Sequence, residues 1–399
     1  MGYKVNRQFQ RSPSTIRLWG LVITCSITLL IHSNSLAAGI LDWLHTNNNK
    51  QWQSWEGYKR TFISEDGRVI DFSTADLRTV SEGQAYALFL SLVANDPVTF
   101  EKLLRWTEKN LSQGDLGKHL PAWLWGKTPE SWQVIDANTA SDADLWLIYA
   151  LMEAGQHWCK PKYTELGQRL ANLVLSEQIL HISGLGLSLL PGRYGFIQAD
   201  GRIKLNPSYV PPFLLARLAN VFNTQPFWAK LYLSSQTLLL NSHMNGLYPD
   251  WIEYQHGQVL HSEPIGDYDA IRVYLWLSFT PDTDPIYHSL LHQVQPFIQH
   301  VLKTGYVPEH WNLETKQFSE NKGPSGFQYA LAPLLKRLQH HLLPLPQLPK
   351  PNETEAWKRY GYYDGLLSLF AQAHLSERFQ MADNGRLILK WQRGGQCDQ

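Results

Sequence analysis

Between residues 82 and 94 the apolar side chains Ala85, Leu88, Phe89, Leu92 and Val93 recur at helical spacing, and Asn95-Asp96-Pro97 ends the run. Residues 98–110 read as its partner helix. Residues 141–154 repeat the pattern, with Leu145, Ile148, Tyr149 and Met152 on one face, and 163–178 follow. Asn206-Pro207-Ser208-Tyr209-Val210-Pro211-Pro212 interrupts the chain before 213–222 resume as helix. Residues 227–241, 267–279, 285–303, 325–341 and 354–374 complete a set of ten helices. Ahead of them, a few β-favouring residues in 58–71 flank Asp66-Gly67 and predict a β-hairpin.

Short turns and long loops alternate between these helices. The long loops, 112–138, 183–207, 244–266 and 305–324, are rich in Gly, Pro and Trp. Successive helical hairpins of this size predict an all-α chain closed into a helical toroid, or stacked as a solenoid. No period repeats well enough for a solenoid family. The long loops then line one rim, where function concentrates.

The N-terminus changes the picture of the first 37 residues. Lys4, Arg7, Arg11 and Arg17 precede an uncharged apolar run, 18–31, and Ser35-Leu36-Ala37 supplies small residues for cleavage. That order predicts a signal peptide over 1–37, with an uncleaved anchor as the alternative, and a single domain over 38–399. Cys25 follows Thr24, which argues against a lipoprotein. Cys159 and Cys397 remain after cleavage, and their pairing stays open. An exported chain of this kind suits the periplasm or the medium.

Formal net charge is zero, so no basic field recruits nucleic acid and no polybasic segment seeks anionic lipid. The aromatic content is high, with 16 Trp and 18 Tyr. Most of these rings belong in a core. The remainder suit a groove whose indoles pack on sugar C–H faces.

Three acidic residues stand at predicted helix starts in aromatic neighbourhoods. Glu82 reads either as a first-turn acid that complements the helix dipole or as a proton donor, which needs burial or a neighbouring anion to raise its pKa. Asp142, in Ser141-Asp142-Ala143-Asp144, reads as a helix cap, as half of an Asp-x-Asp metal site, or as a sugar-binding carboxylate. Asp269 has Arg272 one turn on, giving a surface ion pair or an arginine that aims a base at water. Asp267, two residues earlier, competes for the same role. Hydrolysis of a glycosidic bond needs two such carboxyls across one sugar ring. His288 and His292 lack the Glu of a metalloprotease motif, and neither a phosphate loop nor a nucleophile elbow occurs. No metal and no cofactor are expected.

Thr79-Val80-Ser81-Glu82-Gly83-Gln84, Ala140-Ser141-Asp142-Ala143-Asp144 and Tyr268-Asp269-Ala270-Ile271-Arg272 resemble the three signature stretches of glycoside hydrolase family 8. Leu120-Pro121-Ala122-Trp123-Leu124-Trp125-Gly126, Asn206-Pro207-Ser208-Tyr209 and Tyr362-Tyr363-Asp364 resemble the branch holding the periplasmic endoglucanase of bacterial cellulose-synthase operons. The similarity runs from about Trp55 to about Trp391. It implies an (α/α)6 barrel with a groove across one end, and inverting hydrolysis of internal β-1,4-glucosidic bonds. It implies Glu82 as general acid, Asp269 as general base and Asp142 as the carboxylate holding the distorted sugar. By the same analogy Tyr209 sits near the base, while Trp123, Trp125 and Arg272 serve substrate binding. The implied partners are a β-1,4-glucan and, functionally, a cellulose synthase complex; nothing calls for more than a monomer. Two rival readings remain: a xylanase or chitosanase of the same fold, and a non-catalytic polysaccharide-binding protein of cellulose export.

Overall fold

The computed structural model describes residues 52–341 and 343–392. The expected signal peptide therefore lies outside the described residues, as does Cys397; Cys159 is disulfide-bonded. Among the described residues no helix is long and apolar enough to cross a membrane. From Ser54 onward the chain is one compact unit.

Thirteen α-helices occur among the described residues. They are α1 (Gln53–Phe62), α2 (Ser81–Val93), α3 (Pro97–Leu111), α4 (Ser141–His157), α5 (Pro161–Glu177), α6 (Pro212–Val221), α7 (Pro226–Ser242), α8 (Ile271–Phe279), α9 (Tyr287–Gln293), α10 (Gln295–Thr304), α11 (Ser325–Arg337), α12 (Thr354–Tyr360) and α13 (Tyr362–Leu375). Helices α2, α4, α6, α8, α11 and α13 pack side by side and close into a ring, since α13 returns to α2. Outer helices back this ring. Helix α3 covers α2, α5 covers α4 and α7 covers α6. On α13, Gly365 lies against Tyr58 of α1, too close for a side chain. This is an (α/α)6 barrel.

The sequence separates the two rings. Every residue of α2 except Glu82 is buried, and α4 is nearly as enclosed. A helix that is apolar all round belongs inside. Outer helices α3, α5 and α7 begin on Pro97, Pro161 and Pro226, where the missing N–H costs nothing and the fixed φ suits the first turn. The barrel axis is filled with rings: Phe89, Trp146, Phe213, Trp276, Phe279 and Phe370 meet at centroid distances such as 4.9 Å for Phe89–Trp146 and 5.1 Å for Trp146–Trp276. Much of the tryptophan excess is therefore core, with Trp55, Trp146, Trp228, Trp276, Trp311 and Trp357 fully buried.

Two sequence expectations need correction. Residues 58–62 are the end of α1 rather than a hairpin arm, because Trp55, Tyr58 and Phe62 bury one helical face. The hairpin survives only as the Ile63–Val69 bridge around a turn. The expected helices at 285–303 and 354–374 are each broken. Pro296 cannot donate to the carbonyl at 292, and Gly361 adopts φ 96.

Most of the short strands lie in the connections that lead into the inner helices, at one end of the barrel. β1 (Thr79–Val80) pairs with β2 (Leu124–Lys127), and β2 with β3 (Trp132–Asp136), immediately before α2 and α4 begin. The opposite end is closed by a C-terminal hairpin of Phe379–Met381 and Leu387–Leu389. Its turn passes tightly over α6. Gly385 has φ 74, and a Cβ there would collide with the Phe213 carbonyl oxygen. Gly385→Ala should therefore destabilise the chain by roughly 2–4 kcal/mol, from left-handed strain plus the clash. Thermal unfolding checks this, and an unchanged Tm would contradict it.

Candidate active site

Inner helices α2, α4 and α6 are each followed by an outer helix packed against them, which returns the chain so that the next inner helix runs in the same direction. Their N-termini therefore gather at the loop-bearing end. Glu82 stands in the first turn of α2 and Asp142 in the first turn of α4. Asp269 sits in the turn just before α8, which starts at Ile271 and not at 267 as the sequence suggested. Three positions far apart in sequence thus share one site.

Glu82 is not a helix cap. Val80 occupies the cap position of α2 without a side-chain bond. Instead Trp123 Nε1 donates to Glu82 Oε1 at 3.1 Å, and Ser81 Oγ donates to Oε2 at 3.3 Å. Burial first, and then the charge of Asp142, push the Glu82 carboxyl up to about 8. Its own backbone N–H, Arg272 and Trp123 pull the other way and are outweighed. The residue still keeps partial exposure.

Asp142 is 1% exposed. Tyr86 Oη donates to its Oδ2 at 3.2 Å, and the Ala143 N–H donates to its Oδ1 at 2.8 Å. Arg272 Nη2 lies 3.9 Å away. Burial raises Asp142 to about 6, against the pull of Arg272 and with a push from Asp269. Asp144, the other half of the Asp-x-Asp, points elsewhere. It is fully buried, receives Gln178 Nε2 at 2.7 Å, and is raised well above its ordinary range by desolvation. The hydrogen bonds of the two carboxyls go to different partners.

Asp269 takes two donors on two oxygens. Arg272 Nη2 reaches Oδ1 at 2.6 Å and Asn206 Nδ2 reaches Oδ2 at 3.0 Å. Both are pure donors here, the partners a carboxylate accepts. Arg272 is itself buried and braced by Ser208 Oγ, 2.8 Å from Nη2 and 3.2 Å from Nε. Ser208 Oγ donates to Asn206 Oδ1 at 2.7 Å, which closes the network. Asp267 does not compete for these donors; its Oδ1 accepts the Tyr268 N–H.

Tyr209 lies beside this group on the 3₁₀ turn Pro207–Tyr209. The Arg272 guanidinium is 5.6 Å from its ring centroid. Burial, then Asp142, Asp269 and Glu82 in that order, raise its phenol well above the ordinary value. One ring therefore feels all three carboxyls.

Of the seven residues singled out in the sequence, six converge: Glu82, Asp142, Asp269, Tyr209, Trp123 and Arg272. Trp125 does not touch the carboxyls. It stacks on Trp132 at 5.1 Å, meets Trp106 at 5.3 Å and carries Arg68 at 4.4 Å from its ring centroid. Sequence reasoning missed Tyr86, whose position one turn after Glu82 on α2 was the available signal. It also left Asn206 and Ser208 without roles, although both fall in a quoted motif.

A carboxyl that keeps its proton at neutral pH and a second one supplied with hydrogen-bond donors are the two parts that acid/base cleavage of an acetal requires. Comparison with known proteins agrees with that chemistry. The sequence model of Glycosyl hydrolases family 8 matches residues 30–375. The endoglucanase of Escherichia coli (strain K12) is 39% identical over 353 residues, covering 87% of this chain and 92% of the relative. That of Xanthomonas axonopodis pv. citri (strain 306) is 39% identical over 347 residues, covering 85% and 89%. The crystal structure of endo-1,4-D-glucanase from Vibrio fischeri ES114 superposes with a TM-score of 0.77 at 39% identity, covering 85% of this chain and 99% of that one. This chain belongs to glycosyl hydrolases family 8 and is a glycoside hydrolase.

Proposed function

We propose that the chain is an endo-β-1,4-glucanase that hydrolyses internal glucosidic bonds with inversion. Glu82 protonates the leaving glycosidic oxygen. Asp269 removes a proton from the attacking water, and Asp142 binds the sugar at the cleavage point. Tyr209, Trp123, Trp125 and Arg272 line or brace the substrate path. The observation that carries this reading is the difference between two carboxyl environments. Glu82 stands half-buried beside an anion and is raised to about 8, while Asp269 receives Arg272 and Asn206. The glucan follows from relatives at 39% identity that are endoglucanases by name.

The wider setting belongs to the same proposal. Residues 38–399 form one exported domain that acts as a monomer in the periplasm or the medium, in the service of cellulose production. The export signal read at residues 1–37 supports that location, and the likeness to the endoglucanase of cellulose-synthase operons supports that role.

Reducing-end release from carboxymethyl cellulose, xylan and chitosan, each with EDTA, tests the substrate. Release from the cellulose derivative alone, indifferent to EDTA, is expected. Faster release from xylan or chitosan would move the substrate and keep the chemistry. Tight cellulose binding with no release from any polymer would overturn the enzymatic reading.

A further inference from the structure

Asp250 belongs to no motif and lies well before Asp269 in sequence, yet its carboxyl organises the turn that carries Asp269. Its Oδ1 accepts two backbone N–H groups, from Asp267 and from Ala270, each at 2.8 Å. These residues flank Asp269 on either side. The same carboxyl is in hydrogen-bond contact with the Asp267 carboxyl. The backbone of Asp250 is fixed in turn, since its N–H donates to the Ile265 carbonyl at 2.9 Å. Gly266 is pressed onto the Tyr248 carbonyl so closely that a Cβ would collide with it. Strand pairing of Gly266 with Trp311 holds the far side.

Helix α8 has no side-chain cap of its own. Its cap residue, Ala270, has no side chain able to bind a first-turn N–H. The first-turn N–H groups of Ile271, Arg272 and Val273 bond the carbonyls of Asp267, Asp269 and Ala270, and Asp250 binds the N–H groups of the turn that supplies those carbonyls. On the opposite flank Tyr363 Oη donates to the Tyr268 carbonyl at 2.7 Å. The backbone around Asp269 is thus pinned at 267, 268 and 270, while Arg272 and Asn206 pin its side chain.

We propose that Asp250 is the positioning residue for the water-activating carboxylate, fixing the turn 267–270 through its two amide bonds and its carboxyl contact with Asp267. This rests on the assignment of Asp269 as general base. A site whose reacting water must be held within fractions of an ångström loses rate steeply when its carrier backbone drifts. Burial first, and then the Asp267 contact, push Asp250 up to about 9. Asp250 therefore keeps its proton at neutral pH and can present it to the Asp267 carboxyl.

Kinetics on cellopentaose test this with the full chain and the variants Asp250→Ala, Asp250→Asn, Asp250→Glu and Asp269→Ala, each normalised to its folded fraction by circular dichroism. Asp250→Ala should lower kcat by on the order of 10²-fold with KM changed by less than about threefold. Asp250→Asn keeps the acceptor oxygen and turns an N–H toward Asp267, so it should recover kcat to within about fivefold of wild type. Asp250→Glu carries the carboxyl one methylene too far and should fall short of the asparagine variant. If the alanine variant does not fold, the asparagine and glutamate pair decides. Wild-type kcat in Asp250→Ala beside an inactive Asp269→Ala overturns the proposal. Equal loss in Asp250→Asn and Asp250→Ala also overturns it, because a neutral bridge would then be insufficient. Wild-type activity in Asp269→Ala overturns instead the assignment of the base.

Discussion

Glutamine in place of Glu82 is expected to lower kcat on cellulose derivatives by on the order of 10³-fold with little change in KM, because it removes a proton transferred only in the transition state. The side chain keeps its shape and its bond from Trp123, so ground-state binding should persist. Stability should move the opposite way. Folded Glu82 holds its proton up to about 8, against an ordinary 4.5. A group raised in this way favours the folded state at low pH and loses that contribution as pH rises through the window between the two values. Glutamine never ionises, so the variant should gain Tm over wild type as pH increases from about 5 to about 9. Activity of the wild-type enzyme should fall through pH of about 8 on its alkaline side as the acid deprotonates. Near-normal turnover in the variant would remove Glu82 from the mechanism. A Tm difference independent of pH would show that the carboxyl is not held protonated by its surroundings.

How much of this was legible in the sequence depends on how local each signal was. Glu82 and Asp142 were readable because each opens a long apolar helix, and the periodicity of α2 and α4 is strong. The ring of helices was readable from alternating short and long connections. Residues 58–62 misled because Tyr58, Thr61 and Phe62 favour strands intrinsically, while their tertiary partners reward a helix; Tyr58 packs edge-on against Trp357 at 6.4 Å. The site's second layer was not legible at all. Ser208 meets Arg272 across 64 residues, and Asn206 meets Asp269 across 63. No spacing rule reaches that far. Trp123 and Trp125 illustrate the same limit at short range. They sit two apart, with Leu124 between them, yet one bonds the catalytic candidate Glu82 and the other packs in a cluster with Trp106, Trp132 and Arg68. Composition predicted aromatic excess but not which rings the core would take.

Asparagine in place of Asp269 is expected to reduce kcat by at least about 10³-fold, again with KM nearly unchanged. The substitution retains the size of the side chain and loses the acceptor that takes the water proton. The amide would also turn a donor toward either Arg272 or Asn206, both of which donate. One oxygen contact must then be lost, and the buried Arg272 would shift its pairing toward Asp142, 3.9 Å away in the wild type. A second effect follows: Asp142 loses the like-charge push of Asp269 and gains pairing with Arg272, so its pKa should fall below about 6. Carboxyl ¹³C shifts followed against pH measure it. The stereochemistry of the wild-type product completes the argument. If Asp269 activates water on the face opposite Glu82, cleavage of a β-linked glucan must release the α-configured reducing end first, which proton NMR resolves before mutarotation. A β-configured first product would mean a covalent intermediate, and Asp269 would then be a nucleophile instead of a base.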